Sequence, residues 1–183
     1  YKGLSLAHHL HISISHPRLL FLSSVVYKPN KKTGKAVWEV SYDRFVNGEH
    51  PQTIAITQTS GKPIQPSTVA GHLLDALVQG RSVDLHRLAS SETPPTKSEW
   101  EELVRCSVET GLDVTTDPAT SGANSERFAM KDFLVPIMGN AFALKEYKER
   151  TPEESALWNK WCNCLKWYQT LKRVGYEPSF GSS

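Results

Sequence analysis

The chain lacks any apolar run near the roughly 18–20 residues that a membrane span requires. Its longest, residues 19–27, includes two serines and has the length of a buried strand. Cysteine is scarce: Cys106, Cys162 and Cys164 make an odd number, with no metal-type repeat and no C-x-x-C pair. That argues against a disulfide framework or a thiolate zinc site and favours a reducing compartment, cytosol or nucleus. No phosphate loop, nucleophile elbow, zinc cluster or dinucleotide fingerprint occurs. The expectation is a module with neither catalytic activity nor a cofactor. Two further absences are local. Residues 1–35 contain no acid, and residues 66–79 contain no Lys or Arg.

What is present, 183 residues with 39% hydrophobic and 22% charged, suits one domain or two small ones. The chain begins at Tyr1 without Met or a signal-peptide pattern, as expected of a segment of a longer protein. Its formal net charge is only +2, but the charge is unevenly placed. Residues 1–35 hold six Lys and Arg; residues 36–88 hold four against five acids. Residues 89–127 hold three against eight acids, and residues 145–173 hold seven against four. Basic ends flank a neutral and then acidic middle, so phosphate-neutralising capacity lies at the ends.

Residues 41–85 organise the rest. A helix there ends at Asn47-Gly48, a pair suited to a left-handed closing turn. A short apolar piece follows with Ile54, Ala55 and Ile56. A third helix starts at Pro66, where the missing N–H costs no hydrogen bond, and stops at Gly80. Val69, Leu73, Ala76 and Leu77 form its apolar face. Three short helices with tight connections describe a helix-turn-helix.

The same residues carry a family resemblance. Tyr42-x-x-Phe45-x-x-Gly48, Ile54-Ala55, Pro66-Ser67-Thr68-x-x-x-His72-Leu73 and Val83-Asp84-Leu85 together resemble the helix-turn-helix domain in the C-terminal tails of RecQ-type helicases, the Werner-type helicase included. The resemblance covers about a quarter of the chain. It implies a non-catalytic role beside a helicase or similar partner in a nuclear genome-maintenance or chromatin protein, with DNA contact as one use.

Around that unit four segments are expected: a basic N-terminal segment (1–35), the helix-turn-helix (36–88), an acidic helix and polar loop (89–125), and a C-terminal helical region (126–183). The first includes a short strand region ahead of a basic turn, residues 30–34, that could serve as a wing. His8, His9, His11 and His16 crowd it without a Cys or carboxylate nearby, which suits solvated histidines better than a metal site. In the third segment Thr96 and Glu99 have capping-box spacing, and Trp100, Leu103, Val104, Ser107 and Val108 form the expected stripe up to Gly111. In the fourth, Pro136 and Gly139-Asn140 interrupt the helix. Thr151-Pro152-Glu153-Glu154 then opens a long helix whose core face is expected to include Leu157, Trp161, Cys164, Leu165, Tyr168 and Leu171. Trp158, Trp167 and the lysines fall nearer its other faces. The fold class expected is mainly α, a helix-turn-helix or winged-helix core with a C-terminal helical extension.

Two uses follow. As a nucleic-acid module, Lys28, Lys31, Lys32, Lys35, Lys172 and Arg173 would hold phosphates of DNA or RNA. Gln65, Ser67, Thr68 and His72 would approach the bases from the N-terminal end of the third helix. As a protein-interaction domain, Trp158 and Trp167, or the acids Glu99, Glu101 and Glu102, would receive a basic or apolar peptide or another subunit. The neutral third helix favours the second use. No membrane partner is expected.

Overall fold

The computed structural model describes residues 10–11, 29, 34–58, 60–116 and 128–180, the side chains of 10–11 excepted. His8, His9 and His16 of the N-terminal histidine cluster, Lys28, Lys31, Lys32, residues 30–33 of the anticipated wing and residues 117–127 lie outside them. The described residues are mainly α-helical.

Helix α1 (Val37–Val46) starts where the Glu39 carboxylate accepts a hydrogen bond from the Ala36 N–H, 2.6 Å away. Helix α2 (Pro51–Ile56) begins at Pro51 after His50, and α3 (Pro66–Val78) begins at Pro66. Arg44 stitches the first two together. Its guanidinium pairs with Glu49 at 2.5 Å and donates to the Thr57 carbonyl at 2.9 Å. The Ile64 N–H donates to the Ala55 carbonyl, folding the α2–α3 connection back on itself.

Asp84 caps a short α4 (Leu85–Ala89) by accepting from the Arg87 N–H, a helix that the sequence reading does not anticipate. Arg87 lies 3.6 Å over the Phe45 ring and also donates to the Phe45 carbonyl. Helix α5 (Lys97–Thr110) has the Thr96/Glu99 capping box at one end and left-handed Gly111, φ 66°, at the other. Three short helices follow: α6 (Met130–Phe133), α7 (Val135–Met138) and α8 (Asn140–Leu144). Gly139, at φ 81°, makes the turn from α7 into α8, a backbone region that side chains disfavour. A 3-10 turn (Tyr147–Glu149) leads to α9 (Pro152–Arg173), whose capping box pairs Thr151 with Glu154. Two residue pairs, Leu10 with Phe180 and His11 with Ser179, form a minimal antiparallel ladder of β1 (Leu10–His11) and β2 (Ser179–Phe180).

Helix α3 is central, packing against α1, α2 and α9, while α9 also packs against α5. One apolar cluster joins Phe45, Ile54, Leu73 and Leu74 to Trp100, Leu103, Phe133, Leu134, Leu165 and Leu171. Residues from the segments 36–88, 89–125 and 126–183 thus share one core. Its buried area supplies the driving force that isolated short helices lack.

Three side-chain expectations fail for reasons of packing. Trp167 is buried at 3% exposure, because α9 has α3 on one flank and α5 on another and so buries more than one face. Leu157 is 44% exposed, since the first turns of α9 stand away from that contact. On α5, Val104 and Val108 face outward and Cys106 takes the inner position with Trp100 and Leu103.

Candidate functional site

The residues suggested by the sequence lie at the start of α3 and on its outward strip (Gln65, Ser67, Thr68, His72), ahead of α1 (Lys35), on α5 (Glu99, Glu101, Glu102) and on α9 (Trp158, Trp167, Lys172, Arg173). On α3 the buried residues are Val69, Ala70, Leu73, Leu74 and Ala76. At 100° per residue the opposite strip is Ser67, Thr68, Gly71, His72, Asp75 and Val78. Gln65 and Thr68 are exposed, as a base-reading edge would need, and Ser67 is half-buried.

His72 does not join them. Its Nδ1 lies 2.9 Å from the Ser41 Oγ of α1, so the ring closes the α1–α3 seam. Burial lowers its pKa from 6.5, opposed by nearby Asp75 and assisted by Lys166. Asp75, the acid in mid-strip, pairs with Lys166 of α9 at 2.5 Å. The bridge straps α9 beside the strip.

The basic candidates within the described residues have internal partners. Lys35 pairs with Asp43 at 2.6 Å. Lys172 pairs with Glu177 and lies 5.7 Å over the rings of both Trp100 and Tyr168. Arg173 donates to the Thr116 carbonyl at 3.0 Å. Lys62, on the connection ahead of α3, is exposed instead and was not singled out in the sequence. Its signal was position alone: a cation three residues before the helix edge.

The acids of α5 are likewise engaged. Glu99 takes part in its capping box and pairs with Lys160 of α9 at 2.6 Å. Burial pushes the Glu99 carboxyl upward, but Lys160 and the Thr96 hydrogen bonds together hold it below the ordinary carboxylate value. Glu102 pairs with Arg105 at 2.6 Å, and Glu101 stands 4.0 Å from Lys97 on the same helix. Burial drives the thiol pKa values of Cys106, Cys162 and Cys164 up to about 11, leaving them protonated at neutral pH.

Trp158 has a different setting. It is half-buried and stacks at 5.7 Å on Phe142, brought to it by the turn at Gly139. The Arg150 guanidinium carbon lies 4.6 Å from the Phe142 ring centre, 4.7 Å from Trp158 and 6.0 Å from Tyr147. Lys145 pairs with Glu154 at 2.5 Å and pins the connecting turn to α9. Around this corner Leu144 is 83% exposed and Tyr147 74%. Phe142, Tyr147 and Arg150 escaped sequence reasoning, because only the turn before α9 brings them to Trp158.

Among the described residues no group of three His, Cys, Asp or Glu side chains is placed to hold a metal ion, and no helix is long and apolar enough to cross a membrane. Comparison with protein-family models, curated proteins and solved structures found no match. The RecQ-tail resemblance rests on the residues that carry it.

Proposed function

We propose that the chain is a non-catalytic accessory module of a larger nuclear genome-maintenance or chromatin protein, and that it works by docking a protein partner at the α8–α9 corner. Helices α1 to α3 act as a helix-turn-helix used for scaffolding. The observation that carries this reading is the Lys166–Asp75 bridge. It puts a neighbouring helix and an acid where a base-reading helix would meet DNA, whose phosphates repel acids. The exposed Leu144, Tyr147 and Leu157 beside Trp158 give the corner the aromatic and apolar character common at interaction hot spots.

A second reading is nucleic-acid contact through the open edge formed by Lys62, Gln65 and Thr68. It is favoured by the exposure of all three side chains at the N-terminal end of α3. One experiment separates the two. A photo-crosslinking residue at Leu144 or Leu157 is expected to capture a discrete protein in cells, and one at Gln65 or Thr68 to capture nothing. Capture of DNA or RNA from Gln65 or Thr68, with silence at the corner, would reverse the assignment.

A further inference from the structure

Arg150 is placed oddly for an arginine. Glu146, Glu149, Glu153 and Glu154 all lie within four residues of it, and its charge helps to lower the Glu154 pKa, yet none forms an ion pair with it among the described contacts. The guanidinium sits among Phe142, Trp158 and Tyr147, and its Nε is buried without a hydrogen-bond partner. A planar cation among aromatic faces is attracted by their quadrupoles, most strongly where water is partly excluded. Phe142 forms the buried wall of this cage, Trp158 a half-buried one, and Tyr147 the exposed rim.

We propose that this cage is a receptor for an arginine side chain on a partner peptide, with Arg150 as the resident stand-in. The proposal rests on the docking reading above and names its ligand. A guanidinium from a partner has the same shape and charge as the group already held there. In residues 145–154, which carry the cage's Tyr147 and Arg150, Glu146, Glu149, Glu153 and Glu154 outnumber Lys145, Lys148 and Arg150, so this stretch is net acidic and suits a cationic ligand. Once displaced, Arg150 has Glu146, Glu149 and Glu153 within its stretch of chain as alternative partners. Loading is therefore an exchange of one arginine for another, and the resident residue sets the affinity by competing.

The test uses the whole chain and three short glycine–serine peptides that differ at one position: arginine, lysine or citrulline, the neutral isostere of arginine. Arg150→Ala empties the cage and is expected to bind the arginine peptide at least about tenfold more tightly than the unaltered chain. The lysine peptide should bind more weakly and the citrulline peptide not at all. Adding Tyr147→Ala should remove the gain while leaving Tm unchanged, since Tyr147 is largely exposed. A folded Arg150→Ala chain that ignores the arginine peptide, or binds citrulline equally, overturns the proposal. Should Arg150→Ala fail to fold, the indole N–H resonance of Trp158 in the unaltered chain supplies the reading. It is expected to shift with the arginine peptide and not with citrulline; no shift at saturating peptide overturns the proposal. Crosslinking of a partner from Leu144 together with silence toward arginine would leave the docking reading standing and remove only its ligand.

Discussion

The α1–α3 trio and the α8–α9 corner treat their polar groups in opposite ways. In the trio, Gln65 and Thr68 stay exposed, but several other charged or hydrogen-bonding side chains are turned to internal use: His72 toward Ser41, Asp75 toward Lys166, Arg44 toward Glu49 and the α2 carbonyls. At the corner Arg150 forms no direct ion pair among the described contacts, although its charge reaches Glu154, and rests on aromatic faces that reach solvent. A region whose polar groups answer one another is built for stability. A region that leaves aromatic surface open is built for contact.

The largest effect that tests this contrast is Leu73→Ala in α3. Leu73 is fully buried, so the substitution is expected to cost about 2–5 kcal/mol, read as a lower urea midpoint. Leu165→Ala in α9 should cost a similar amount and unfold the trio in the same transition, because both residues belong to one core. Two separate transitions would break the comparison by making the trio independent. Thr151→Ala removes the cap of α9 and is expected to cost about 1 kcal/mol. Amide exchange should rise near Trp158 and not in α3; a rise in α3 would mean that the corner supports the trio.

Smaller again is the pH response of His72. Burial lowers its folded-state pKa from 6.5, so as pH falls below about 6.5 the unfolded chain takes up a proton that the folded chain resists. Stability contributed by neutral His72 is full above that pH and is lost progressively until the folded-state pKa is passed. His72→Gln should flatten this part of a urea-midpoint profile; an unchanged slope would place the titration elsewhere. Asp75→Asn breaks a partly exposed bridge and should cost at most about 1 kcal/mol, measured by the same unfolding curve. Tyr147→Ala is expected to change stability by less than about 0.5 kcal/mol while altering peptide binding. A large stability loss there would make the corner a structural joint.

The helix boundaries were legible because local chemistry sets them. Pro66, the Thr96/Glu99 and Thr151/Glu154 boxes and Gly111 each act within one turn of chain, and the helices begin and end at them. Helix α4 was hidden by its length, five residues with no room for a periodic stripe, although Asp84 stood ready as its cap. The candidate sites were less legible because their partners are remote. Lys166 and Asp75 are 91 residues apart, and no pattern along α9 says that Trp167 would be buried as well as the expected core face. The surroundings of Trp158 needed both the Gly139 turn and the turn before Thr151. Each was visible as a break, but neither revealed which rings it would bring together.

Helix α9 has 22 residues, which at 1.5 Å rise per residue makes a rod of about 33 Å. Its C-terminal half, residues 161–171, is buried in the core, and the turns before Trp161 are more exposed. Mechanically this is a beam rooted between α3 and α5 and propped toward its tip, where Trp158 packs against the core and Lys145 grips Glu154. The precision with which the rings at the tip hold a cation is therefore set at both supports, by how stiffly α3 and α5 grip the root and by how firmly Trp158 and the Lys145–Glu154 pair seat the tip.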